Sequence, residues 1–167
     1  MNKRLMFVVA LILFSVVELS AQVTVLIVRH AEKEASSSRD PELSAGGNAR
    51  AEELNRMLKK VHIDEIYSTP YKRTRNTVAP VAERLGIDIK SYDPAAQDKF
   101  ATEVKSASGK TILISGHSNT IPALLNLLTG KQEYKDMPET EYDNFYIVTI
   151  SKEYSNVVCL EFGVATE

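Results

Sequence analysis

Of the three histidines in this chain, two stand two residues past the ends of short apolar runs. His30 follows Val23–Val28 (VTVLIV) within RHAEK (Arg29–Lys33), and His117 follows Thr111–Ser115 (TILIS) within SGHSNT (Ser115–Thr120). Continuous β-branched runs of this kind read as strands buried on both faces of a sheet. In parallel α/β sheets, ligands gather outside the carboxyl ends of strands, so both imidazoles are expected at one functional edge. A third strand end, Tyr67–Arg75 (YSTPYKRTR), delivers Arg73, with Arg75 as a second choice, to the same rim, and Arg29 adjoins His30. Two histidines suit either a metal or phosphoryl chemistry. Metal sites recruit a third ligand and avoid neighbouring cations. Clustered guanidiniums repel a divalent cation and present planar forks to phosphate oxygens. The constellation therefore reads as a phosphate pocket.

An imidazole held among arginines beside a phosphate can act as a covalent nucleophile. It must be neutral to attack, and nearby cations favour the neutral form. The same arginines meet charge that builds on the phosphoryl oxygens in the transition state. Chemistry of this design needs no metal and no organic cofactor. An Arg-His pair after a strand, or a single Gly-His-Ser loop, is by itself usually a surface feature. Both together, on separate buried strands with an arginine-rich helix start between them, make coincidence a poor explanation. His62 lies between a helix and a strand and reads as a surface or capping residue.

The elements that must position these groups alternate. Ser44 is placed to cap a helix over Ala45–Lys60, with Gly46 and Gly47 weakening its first turn. A short strand over Asp64–Ser68 precedes a helix over Tyr71–Leu85, which Gly86 stops and which Pro80 should kink or split. A strand over Ile87–Tyr92 and a helix from Asp93 to Ala107 follow. After the second buried strand, Ile121–Leu128 reads as a helix with Pro122 in its first turn and Gly130 past its end. The polar stretch Lys131–Asp143 leads to a hairpin of Asn144–Ile150 and Val157–Phe162. This order predicts an α/β three-layer sandwich, with a mainly parallel central sheet, helices on both faces and an antiparallel C-terminal edge hairpin.

The chain has 167 residues, 44% of them apolar and 25% charged, which suits one globular domain. Twenty Lys+Arg against 22 Asp+Glu give a net charge of −2 and no electrostatic reason to expect nucleic acid. The single cysteine, Cys159, rules out an internal disulfide framework and a multi-cysteine metal site. Residues 1–21 are different material. Lys3 and Arg4 precede Leu5–Val17, a run apolar except for Ser15, and Leu19-Ser20-Ala21 offers a small-residue end. This is the pattern of a secretory signal peptide cleaved after Ala21, and the run is short of the ~20 residues a bilayer span needs. An uncleaved anchor is the alternative, because Leu19 is poorer than Ala at its position. The expected organisation is thus a signal peptide over 1–21 and one domain over 22–167, secreted or periplasmic, with no membrane contact after cleavage. The sequence is silent on oligomeric state.

The motifs LIVRHAEK (Leu26–Lys33), DPELSAGG (Asp40–Gly47), IYSTPYKRTRNT (Ile66–Thr77) and ISGHSNT (Ile114–Thr120) resemble the histidine phosphatase superfamily. They stand in that family's order, and the compact length looks most like its phosphohistidine phosphatase subgroup within the phosphoglycerate mutase-like branch. The resemblance implies that His30 is the phosphate-accepting nucleophile and that Arg29, Arg73 and His117 clamp the phosphate. It further implies phosphate or substrate contacts from Arg39 and Asn119, with the Gly116–Asn119 backbone orienting His117 or the substrate. Larger members place a carboxylic acid in an insertion to protonate the leaving group. The matching region here, Asp93–Glu103, is short, which leaves Asp93, Asp98, Glu103 and Asp143 as candidates and Glu32 as a structural or orienting residue.

The expectation is an exported, metal-independent phosphatase acting on a small phosphomonoester through phospho-His30. Its alternatives are a protein phosphohistidine phosphatase, a non-catalytic phosphate-ligand binding module, and a metal-dependent hydrolase.

Overall fold

The computed structural model describes residues 21–166; the expected signal segment lies almost wholly outside these. Six strands form one sheet: β1 (Val23–Arg29), β2 (Glu65–Ser68), β3 (Ile89–Ser91), β4 (Thr111–Gly116), β5 (Asn144–Ile150) and β6 (Ser155–Glu161). Their spatial order is β3-β2-β4-β1-β5-β6. The first four run parallel, while β5 pairs antiparallel with β1 and β6 with β5. Four helices cover the sheet: α1 (Ala45–Met57), α2 (Lys72–Leu85), α3 (Gln97–Ser106) and α4 (Thr120–Thr129). The mainly parallel sheet with its C-terminal antiparallel hairpin is the architecture expected from the alternation of elements. No helix among the described residues is long and apolar enough to cross a membrane.

Successive strand residues point to opposite faces, so a strand covered on both sides must be apolar throughout. In β1, Val25 and Ile27 join Ile112 and Ile114 of β4 in a core with Phe100 and Val104 of α3 and Leu124, Leu125 and Leu128 of α4. Leu26 and Val28 face the other way, with Leu113 and Ile66, onto Leu54 of α1 and Val78 and Val81 of α2. The two central strands thus carry both cores, and the chain leaves them at one edge. Arg29 stands in register opposite Gly116, and the His30 amide bonds the Gly116 carbonyl at 2.9 Å.

Several boundaries differ from expectation for local reasons. Gly46 and Gly47 do not delay α1, because Ser44 Oγ accepts the Gly47 amide at 3.1 Å and fixes the start. Gly47 is needed there: a Cβ would lie 2.1 Å from the Glu32 carbonyl oxygen. Helix α1 ends at Met57, three residues short of Lys60. Pro80 does not split α2, which runs unbroken to the left-handed Gly86 at φ 66°. Proline forfeits one intrahelical bond, and burial of Val78, Val81 and Ala82 on either side outweighs that loss. Asp93–Ala96 forms a turn, with Asp93 Oδ1 accepting the Ala95 amide at 2.8 Å, so α3 begins only at Gln97. Strand β3 is reduced to Ile89–Ser91, and β6 begins two residues before Val157.

Candidate active site

His30 is buried immediately beyond the end of β1. Its Nδ1 lies 2.8 Å from the Ala31 carbonyl oxygen. A carbonyl only accepts, so Nδ1 carries the proton and the lone pair falls on Nε2. Burial, followed by the charges of Arg29, His117 and Arg73, lowers the pKa of this ring to about 3, despite the opposing effect of the Ala31 bond. His30 is therefore a neutral, oriented imidazole at ordinary pH.

His117 follows β4, its ring centroid 5.5 Å from that of His30 and inclined at 67°. Arg73, from the first turn of α2, donates to His117 Nδ1 at 3.4 Å. That assigns the ring proton to Nε2, which donates to Thr69 Oγ1 at 2.9 Å. Thr69 passes the chain to Thr74 Oγ1 at 2.8 Å, and Thr74 donates to the Tyr71 carbonyl at 2.8 Å. The His117 amide is held by Thr120 Oγ1 at 2.9 Å. Burial first, then Arg73 and Arg29, lowers the pKa of this imidazole to about 4. Thr77 ties the two arms together: its hydroxyl accepts the Ala31 amide at 2.8 Å and donates to the Arg73 carbonyl at 2.7 Å.

A cavity of about 710 Å³ opens over this group, with His30, Arg73 and His117 in its lining and Lys33, Ser118, Asn119, Asp136 and Glu139 among the surrounding residues. Arg73 is the guanidinium that faces the cavity; it lies over the Tyr71 ring at 4.6 Å and 3.8 Å from Asp40 Oδ1. Arg29 is held differently. Its guanidinium is buried beside the segment before β5, with Nη1 donating to the carbonyls of Pro138 at 2.7 Å and Glu141 at 2.8 Å. Nη2 pairs with Glu139 at 3.2 Å, and the guanidinium carbon stands 4.1 Å from the Tyr142 ring centroid. Nε of Arg29 is buried with no hydrogen-bond partner, a donor available to an anion.

The structure brings Arg29, His30, Arg73 and His117 together and places Asn119 on the cavity wall. Arg39 is not brought in; it is exposed on the loop after β1 and contributes nothing to the cavity lining. Asp40, its neighbour, is the residue that reaches across, accepting the Lys72 amide at 2.9 Å. Asn119 makes no side-chain cap bond to α4 and no bond to His117, whose orientation comes from Thr69, Arg73 and Thr120. Arg75 turns to Ser91 at 3.4 Å, and His62 is exposed against Asp64. Of the expected carboxylates, Asp93 caps a turn, Asp98 is exposed on α3, Glu103 accepts from Tyr67, and Asp143 accepts from Thr166. None of these four lines the cavity. Glu32 is held by Arg50 through both carboxylate oxygens, and Arg50 also bonds the Phe162 and Val164 carbonyls. No group of three or more His, Cys, Asp or Glu is placed to hold a metal ion among the described residues.

Four contributors escaped the sequence reading: Thr69, Thr77, Glu139 and Tyr142, whose ring lies 5.9 Å from that of His30. Thr74 and Thr77 carried a signal, since they share the helical face of Val78 and Val81 and are fully buried. For Glu139 and Tyr142 the only clue was the length of the irregular stretch in which they lie.

Residues 25–94 match the family model of the histidine phosphatase superfamily, branch 1. A 77-residue stretch is 36% identical to phosphoserine phosphatase 1 of Hydrogenobacter thermophilus, covering 42% of this chain and 36% of that protein, so the match spans about a third of that relative's length. The fold resembles that of the protein histidine phosphatase SixA complexed with tungstate, with a TM-score of 0.68 and 16% identity over 83% of this chain and 96% of that one. It also resembles a mycobacterial glucosyl-3-phosphoglycerate phosphatase, with a TM-score of 0.69 and 12% identity over 86% of this chain and all of the other. Over residues 25–94 the chain is thus similar to the histidine phosphatase superfamily, branch 1, and its fold is that of the solved phosphatases it resembles.

Proposed function

We propose that this protein is an exported, metal-independent phosphomonoesterase that works through a phosphohistidine on His30. The observation that carries the reading is the state of His30: a buried, neutral imidazole with Nδ1 anchored to the Ala31 carbonyl and Nε2 left unprotonated, in the lining of a cavity shared with Arg73 and His117. Nε2 attacks phosphorus, and the ester oxygen departs. Water then attacks phospho-His30, releasing phosphate and restoring the imidazole. Arg73, oriented by His117, and the free Nε donor of Arg29 stabilise charge on the phosphoryl oxygens. The partial relationship to a phosphoserine phosphatase supports a phosphomonoester as substrate. Export rests on the pattern of residues 1–21, and it argues against a cytoplasmic phosphorelay as the source of substrate.

The test is hydrolysis of p-nitrophenyl phosphate by residues 22–167 in the presence of EDTA. Turnover that survives chelation, disappears in His30→Ala and passes through an acid-labile phosphoenzyme supports the reading. No turnover of any phosphoester, with phosphate still bound, overturns it in favour of a binding module. Loss of turnover on chelation overturns metal independence. N-terminal sequencing of the protein recovered outside the cytoplasm tests export, and a start at Gln22 is expected.

A further inference from the structure

Hydrolysis of an ordinary alkyl ester needs a proton for the departing oxygen, and none of the four carboxylates expected from sequence reaches the cavity. The described residues place two others on its wall, Asp136 and Glu139. We propose that Glu139 is the catalytic proton donor to the leaving group and then the base for the attacking water. This rests on the phosphatase reading above.

Three features single out Glu139. First, its carboxylate is positioned: Oε2 pairs with Arg29 Nη2 at 3.2 Å, and Oε1 accepts from Ser118 Oγ, next to His117, at 3.1 Å. Asp136 makes no hydrogen bond or ion pair among the described residues. Second, the backbone that presents it is braced. The Glu141 amide bonds the Pro138 carbonyl at 3.2 Å, closing a turn, and Arg29 Nη1 bonds the carbonyls at both ends of that turn. The Met137 amide adds a bond to the Ser118 carbonyl at 3.0 Å. Third, the depth is right. His30 is 5% exposed at the base of the cavity, whereas the Glu139 side chain is 77% exposed. In-line displacement sends the leaving oxygen away from His30 and outward, towards this rim.

The free protein keeps Glu139 on the guanidinium that a substrate phosphate must also use. A dianion arriving at the Nε side of Arg29 stands beside the carboxylate still held on Nη2, and two anions side by side favour the carboxyl form of Glu139. The Nε2 lone pair of His30 then forms the N–P bond as the P–O bond breaks. The electron pair of that bond stays on the ester oxygen, which takes the proton of Glu139 and leaves as the alcohol. In the second half, water forms a new P–O bond and gives its proton to the Glu139 carboxylate, and the N–P pair returns to His30. Ester and water become alcohol and phosphate, with both residues regenerated.

Glu139→Gln keeps the shape and removes the proton. It should lower kcat/KM for phenyl phosphate about 100-fold, and for p-nitrophenyl phosphate, whose leaving group needs no proton, by less than about threefold. With p-nitrophenyl phosphate the same variant should show a burst of one nitrophenol per protein and accumulate phosphoenzyme, because hydrolysis has lost its base. Equal losses on both esters, or no loss on either, overturn the proposal while leaving the phosphatase reading intact. The leaving-group split appearing in Asp136→Asn instead also overturns it. A wild-type protein inactive on both esters overturns the phosphatase reading itself.

Discussion

Thr69 Oγ1 stands 2.9 Å from Nε2 of His117, so the hydroxyl and Arg73 hold the two nitrogens of one ring in opposite roles. The hydroxyl is fully buried, and its own proton goes to Thr74. Thr69→Val should cost about one hydrogen bond of positioning, an about tenfold fall in kcat/KM. Thr69→Ser should restore most of it. Steady-state kinetics of the two variants check this, and a valine variant with wild-type kinetics would show that His117 is oriented by other contacts.

Both imidazoles make acid a threat to the fold. Unfolded histidines bind protons below pH about 6.5, whereas folded His30 and His117 wait until about 3 and about 4. Between these limits the unfolded chain holds more protons, so stability falls as pH drops from about 6.5, and neither ring contributes above that. Urea midpoints at pH about 7 and about 4.5 should differ less in His30→Asn than in the wild type. An unchanged difference would mean that the ring already titrates near its ordinary value.

Arg73→Ala should reduce kcat/KM about 100-fold, the scale of a lost transition-state donor. Arg84, on the last turn of the same helix, bonds Asn55 Oδ1 at 2.7 Å and the Leu58 carbonyl at 3.2 Å, away from the cavity. Arg84→Ala should leave kcat/KM within about threefold and lower the thermal midpoint slightly. Equal kinetic losses would misplace the pocket.

Gly47→Ala should destabilise the protein by about 1–3 kcal/mol, since the new methyl would press on backbone rather than on a flexible side chain. The displaced group is the Glu32 carbonyl, two residues past His30, so activity should fall with the thermal midpoint. A variant of wild-type stability would show that α1 can move away from the loop.

What the sequence made legible was whatever obeys a period or ends one. Fully apolar β1 and β4 declared a sheet covered on both faces, and the histidines directly after them declared its edge. Arg39 misled because one loop residue's offset decides whether a side chain or its neighbour, here Asp40, points inward, and no periodicity governs a loop. Pro80 misled in the opposite direction, since its local cost is visible in sequence and the packing around it is not. Glu139 and Tyr142 were hidden because the turn that presents them is built on Arg29, more than one hundred positions earlier. Arg29 itself was expected in the clamp, but not that its Nη1 would hold the protein's own backbone.

The pairing of Arg29 with Gly116 has a last consequence. Each imidazole sits one residue beyond that pair, and the ring separation of 5.5 Å is close to the ~4.8 Å between neighbouring strands. The distance between the two histidines is therefore inherited from the sheet's ladder, as marks are from a ruler. Sliding β4 by one residue would also reverse which apolar side chains meet each pair of helices. The reacting centre is thus as hard to change as the core, whereas residues 131–136, outside any strand or helix and ahead of the turn that carries Glu139, can vary what is accepted without disturbing how it is cleaved.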